Sequence, residues 1–255
     1  MTKFLLEPGE RLDDLVRDGL KIIQKPGGFC FSMDAVLLAN FASVKKHDMV
    51  VDLGTGTGVV PLLLATRKKA VRIFGLEIRQ DVVDRAVRSV AGNGLTELIE
   101  IIHGDIKEAV NVLGPGKFDL ITSNPPYMPI GRGEINPDDE LALARHEISC
   151  TLADVVRAGA GLLNSHGRMA VVHRPERLAD LLYLMKTCGL EPKRLRMVYP
   201  KPGRKPAMAL VEAVKGAKPD LDIMAPLFVY DSQGGYTPEL MKIYYPGMEF
   251  GKAEG

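Results

Sequence analysis

Val50-Val51-Asp52-Leu53-Gly54-Thr55-Gly56-Thr57-Gly58 decides the fold. An apolar run of strand length ends in three glycines at alternate positions, and Val59 to Thr66 follows with helical character. Strand, tight glycine turn and helix form the opening unit of a βαβ fold, because glycine lets the backbone turn sharply and lets a ligand lie against it. The spacing is GxGxG, not the GxGxxG of dinucleotide sites, and Asp52 stands two residues before the first glycine. A carboxylate there repels a pyrophosphate and attracts an amine cation, which favours S-adenosylmethionine over NAD.

The same alternation continues outward. Strands are expected at Met49–Leu53, Val71–Glu77, Ile99–His103, Phe118–Ser123 and Gly167–His173, with helices over Val59–Thr66, Asp81–Val90, 106–113, much of Glu140–Asn164 and Glu176–Thr187. Two last strands, about 191–199 and 207–214, flank the turn Pro202-Gly203-Arg204 and must therefore be antiparallel. The expected fold is α/β: a seven-stranded Rossmann-like sheet, mostly parallel with an antiparallel terminal hairpin, and helices on both faces. Upstream, Leu12 to Ile23 fits a short helix or a strand pair. Ser32 reads as an N-cap, and Ala35, Val36, Leu38, Ala39 and Ala42 predict an amphipathic helix over 33–44. Residues 128–139, with Pro129, Gly131, Gly133 and Pro137, read as an irregular loop and a candidate mobile lid. The division expected is a cap segment at 1–47, a catalytic domain at 48–215 and an extension at 216–255 packed on it. That extension holds four of the seven tyrosines and reads as an extended surface segment or as an arm contacting substrate.

Acids follow three successive strands of this scheme. Asp52 precedes the glycine turn formed by Gly54, Thr55, Gly56 and Gly58. Glu77, 23 residues after Gly54, closes the second strand beside Ile78, where a carboxylate can accept both ribose hydroxyls. Asp105, beside Ile106, follows the third and can accept from an adenine amino group. Each alone reads as a helix cap or a solvated loop acid. Together they lie where open parallel sheets bind ligands.

After the fourth strand comes Asn124-Pro125-Pro126-Tyr127. An amine on an sp² carbon is a poor nucleophile because its lone pair is delocalised. Two acceptors that hold its hydrogens, the Asn124 side-chain oxygen and the Pro125 carbonyl, draw it toward tetrahedral geometry. The prolines stiffen the turn, so the acceptors are set in advance, and Tyr127 offers a face on which a flipped base can stack. The plainer reading is a Pro-Pro turn capped by Asn, with Tyr packed on the core.

Composition removes other classes. At 46% hydrophobic and 25% charged, 255 residues make an ordinary globular core without disulfides. Cys30, Cys150 and Cys188 are scattered, with no metal spacing, so no metal is expected and a reducing, cytoplasmic setting fits. The first ten residues lack the apolar core of a signal peptide, and no apolar run reaches membrane-helix length. Net charge is +1, so a polyanion site has to be local. Between Lys193 and Lys218 stand eight basic residues, Lys201, Arg204 and Lys205 among them, against one acid, Glu212. This is the candidate RNA contact, or else a solvated rim, with Arg132 and Arg145 as a second contact.

The glycine loop and the NPPY stretch, in this order, resemble the class I amino-methyltransferases with an NPPY motif, over roughly residues 20–215. Gly28 to Ala39, Ala144-Arg145-His146-Glu147 and Arg204-Lys205-Pro206 are similar to the bacterial adenine-N6-methyltransferases that modify valine tRNA beside the anticodon. The resemblance implies S-adenosylmethionine as cofactor, tRNA as partner, Ser32 and Asp34 covering the cofactor, Asn124 also touching it, and Asn124 to Tyr127 holding the target adenine. Two related enzyme types stay open: protein glutamine methyltransferases, which share the clamp but carry a longer N-terminal domain, and rRNA guanine-N2 methyltransferases. So does an inactive cofactor-binding RNA module. A C5-pyrimidine enzyme needs a cysteine beside the clamp, and Cys150 is more than 20 residues away in an expected helix.

Overall fold

A computed structural model describes residues 4–15, 17–26, 32–125 and 150–246. The elements are β1 (Arg11–Asp14), β2 (Lys21–Gln24), α1 (Met33–Phe41), β3 (Met49–Leu53), α2 (Val59–Ala65), β4 (Arg72–Glu77), α3 (Gln80–Gly92), β5 (Ile99–His103), α4 (Ala109–Leu113), β6 (Phe118–Ser123), α5 (Leu152–Leu162), β7 (Leu163–His173), α6 (Leu178–Thr187), β8 (Leu190–Tyr199), β9 (Met208–Lys215), β10 (Asp222–Ile223), β11 (Leu227–Phe228) and α7 (Pro238–Tyr244). The main sheet runs β10-β8-β9-β7-β6-β3-β4-β5, with β11 also on β8. Only β9 runs against its neighbours. The antiparallel hairpin therefore falls where the short Pro202–Arg204 turn requires it.

The strands are apolar on both faces because both faces are covered. Val50, Ile73, Leu120 and Val172 point into one core with α1 and α2, and Val51, Leu76, Ile121 and Val171 into the other with α4, α5 and α6. Helix α3 ends in a Schellman turn: Leu95 N–H bonds the Val90 carbonyl, Gly94 N–H the Ala91 carbonyl, and Gly94 takes φ +69°. At the amino end of the sheet, Arg168 and Asp48 form a buried ion pair at 2.6 Å.

Two elements differ from their sequence reading. Helix α1 is not amphipathic: six of its nine residues are buried, because α7 from the C-terminal region packs on the side that a lone domain would leave wet. Arg67 bonds the Asn40 and Ala42 carbonyls and Arg194 the Phe41 carbonyl, satisfying its last turn. The C-terminal region, read as an extended surface segment or a substrate-contacting arm, adds β10 and β11 parallel to β8 and closes with the helix α7. Two-residue strands leave no periodic pattern to read. The ambiguous N-terminal stretch is a strand pair, β1 with β2. Its β2 packs on α3 through Ile23 N–H to Ser89 Oγ at 3.0 Å and the Asn93 amide to the Lys21 backbone.

Candidate active site at the carboxyl rim of the sheet

Gly54, Ile78, Gly104 and Asn124 each follow the last residue of β3, β4, β5 and β6, so all four stand on one rim. Gly54, Gly56 and Gly58 have φ of +72°, +55° and +85°, a region L side chains avoid, and this is what demands glycine at alternate positions. Gly54 and Thr55 N–H both bond the Leu76 carbonyl, which pins the loop to β4. Gly75 makes room for it: a Cβ there would come within 2.8 Å of the Thr55 side chain. Over Gly56, by contrast, a side chain would meet nothing within 4 Å, so the loop's backbone lies open to a ligand.

The acids hold different positions. Glu77 is buried; one oxygen accepts from Gly56 N–H at 3.0 Å and the other from Arg79 N–H at 3.0 Å. Asp52 is 1% exposed and accepts from the Thr122 hydroxyl at 2.7 Å. Burial pushes its carboxyl up to about 7, against the pull of that hydrogen bond. A neutral-pH carboxyl poised between its two forms is stabilised as the anion once a cation arrives. Asp105 caps the turn at Ile106–Glu108, accepting from Lys107 N–H at 2.9 Å, the structural role its sequence position also allowed. The Ile106 side chain lies 3.7 Å from where a Gly54 Cβ would stand, and Ile78 is 40% exposed on the rim, so two apolar side chains border the loop.

Asn124 is half-buried and Pro125 buried at the end of β6. Ser123 donates to the Leu53 carbonyl at 2.8 Å and so ties the foot of this motif to the foot of the glycine loop. Ser32 sits exposed before α1, whose first turn carries Asp34, half-buried. Pro126, Tyr127, Arg132, Arg145, the 128–139 loop and the helix expected before residue 150 lie outside the described residues, as do Gly27 to Phe31. Lys201, Arg204 and Lys205 are exposed on the turn after β8, on the same rim.

Sequence reasoning missed three supporting residues. Gln24, fully buried on β2, brings its amide within 3.5 Å of the Thr57 hydroxyl and so supports the loop from outside the main sheet. A single polar residue in a four-residue strand gave no signal. Thr122 and Ser123 did give one: two hydroxyls following the apolar pair Leu120-Ile121 at the strand's end. The count of basic residues between Lys193 and Lys218 also overstated the free charge. Lys193 pairs with Asp220, Arg194 with Glu212, Arg196 with Glu239, and Lys215 caps α5 through the Ala160 and Leu163 carbonyls. Cys150 lies in the coil before α5, not in a helix, and burial pushes its thiol up to about 11, the wrong direction for a nucleophile. Among the described residues no acid, His and Cys cluster is placed to hold a metal, and no helix is long and apolar enough to cross a membrane.

The sheet order and the glycine loop with its ring of acids define a methyltransferase. The chain belongs to the methyltransferase small domain family, whose model matches residues 19–182. It is 31% identical over 225 residues, 84% of this chain and 86% of the relative, to a Porphyromonas gingivalis protein named tRNA1(Val) (adenine(37)-N6)-methyltransferase. A Parabacteroides distasonis protein of the same name is 33% identical over 73% of this chain and 78% of its own. Among solved structures, a predicted O-methyltransferase of Agrobacterium tumefaciens matches 87% of this chain and 100% of its own at TM-score 0.69 and 22% identity, a likeness of fold.

Proposed function

We propose that this enzyme transfers a methyl group from S-adenosylmethionine to N6 of an adenosine in tRNA, beside the anticodon of a valine tRNA. The observation that carries the reading is the Ser123 bond to Leu53, which ties the feet of the Asn-Pro motif and the glycine loop together on one rim. Similarity to relatives that bear the adenine-N6 name supports the base and the RNA, and weighs against glutamine or guanine substrates.

The residues present fit the cofactor. Glu77 would take its ribose hydroxyls, Asp52 would act on its amino group through the loop, Ile78 and Ile106 would flank its adenine, and Ser32 and Asp34 would close over it. When bound, it supplies a methyl made electrophilic by the sulfonium sulfur, which keeps the bonding electron pair. The chain's own task is to hold the target amine. The Asn124 side-chain oxygen and the Pro125 carbonyl accept its two hydrogens, Tyr127 stacks on the base, and the lone pair is aimed along the line of transfer. The surplus proton leaves the methylated amine to solvent, so no side-chain base is required.

Asn124→Ala is expected to abolish methyl transfer to unmodified tRNA while cofactor affinity stays within about twofold. A parallel loss of both would remove Asn124 from the clamp.

A further inference from the structure

We propose that the hairpin at 230–236 and the turn after β8 together form a second RNA contact, a stacking platform for an unpaired base flanked by phosphate-binding cations. The proposal rests on the RNA reading above and adds to it a surface outside the catalytic clamp.

Tyr230 and Tyr236 face each other across a two-stranded bridge, with ring centroids 5.3 Å apart and planes 17° from parallel. Their exposures are 38% and 52%, so solvent reaches both rings of the stacked pair. A single exposed tyrosine is ordinary, but two exposed rings held in contact make a contiguous apolar surface of the kind that binding sites use. The hairpin that carries them is fixed. Asp231 accepts from Gln233 and Gly235 N–H, both at 2.9 Å, Tyr230 N–H bonds the Pro200 carbonyl at 2.8 Å, and the Thr237 hydroxyl bonds the Phe228 carbonyl while capping α7. A base can therefore extend the stack at little ordering cost.

Charge complementarity names the occupant. An open groove of about 540 Å³ runs between Tyr230 and the turn, lined also by Pro200, Lys201, Arg204 and Gly234. Lys201 and Arg204 are exposed, and no carboxylate pairs with them among the described residues, whereas Lys193, Arg194 and Arg196 on the same strand are all engaged. Free cations beside an exposed aromatic stack fit a single-stranded nucleic acid, whose bases stack while its phosphates pair.

Position fits as well. Strand β8 runs parallel to β6, so Tyr199 and the turn beyond it rise from the rim that carries Asn124, three strand spacings away, roughly 14 Å. A loop nucleotide on the platform and a flipped adenine in the clamp thus share one face of the molecule.

The test compares wild type with Tyr236→Ala, Tyr236→Phe and the double variant Lys201→Ala/Arg204→Ala, each first checked for an unchanged melting curve and cofactor affinity. Binding is read from the anisotropy of a labelled single-stranded oligoribonucleotide and of unmodified tRNA, over a salt series. Tyr236→Ala is expected to weaken binding about 5- to 100-fold, as loss of one base stack implies, with Tyr236→Phe restoring it. The double variant should flatten the dependence of log affinity on log salt by about 2. Methyl transfer at saturating tRNA should survive in Tyr236→Phe. Wild-type affinity and slope in Tyr236→Ala and in the double variant would overturn the platform while leaving methyl transfer intact. Absence of transfer by wild type would instead overturn the function proposed above, and the platform would still stand or fall on the oligonucleotide binding.

Discussion

Asp52 is a carboxylate kept from water at the root of a ligand loop, and its ionisation controls the loop's field. Because burial holds its carboxyl near 7, cofactor affinity should rise with pH through that value as the anion forms to meet the cationic amine. Calorimetry at pH 6 and pH 8 is expected to show binding on the order of tenfold tighter at the higher pH, and Asp52→Asn should remove the difference. The stability of the free protein moves oppositely. A carboxyl raised in the folded state stabilises below its unfolded value, and that contribution is lost as pH climbs from about 4 to about 7. Glu77 is a second residue-scale handle: replacement by Ala leaves Gly56 N–H without its acceptor and should weaken cofactor binding by about 1–3 kcal/mol. Unchanged affinity would remove the ribose role. His173, at the end of β7, is held neutral, with burial driving it down to about 4, so it should contribute no step to the pH profile of transfer between 5 and 8.

At the scale of elements, Glu10 ties the N-terminal segment to α3 through two arginines. Glu10 bonds Arg88 at 2.6 Å and Arg85 at 3.1 Å, and those bonds, Arg88 first, hold its carboxyl near 2 against an ordinary 4.5. A depressed carboxyl stabilises above its unfolded value, so this contribution fades as pH falls from about 4.5 to about 2. Glu10→Gln is expected to cost about 2–3 kcal/mol in urea unfolding at pH 7 and almost nothing at pH 2. An equal loss at both pH values would make the contact one of packing. The elements themselves were legible in proportion to their periodicity. β3, β5 and β6 match their expected limits because an apolar cluster marks each, even in β5, an edge strand with exposed Glu100 and His103. The outer face of α1 was not legible, because what covers it, α7, lies some 200 residues later and the pattern of α1 alone cannot show it. The partners of Lys193 and Arg196 were hidden for the same reason: Asp220 and Glu239 belong to the C-terminal segment that reads as extended.

At the scale of the molecule, one rim of one sheet gathers the glycine loop, the acids, the Asn-Pro motif and the β8 turn, and the opposite edge holds the structural ion pair Arg168–Asp48. The site was legible because its chemistry is local in sequence: three glycines, an acid at a strand end, two prolines after an asparagine. Its supports were not, since Gln24 reaches the loop from a separate strand pair and the tyrosine stack forms only when the last forty residues fold back on β8. The account stands on the claim that this rim delivers a methyl group to an adenine amine. Purified enzyme, S-adenosylmethionine and unmodified valine tRNA, followed by nuclease digestion and mass spectrometry of the nucleosides, tests it most directly. One methyl on N6 of the adenosine beside the anticodon, lost with Asn124→Ala, is the expected result. A methyl on another base, or transfer undiminished in Asn124→Ala, would contradict it.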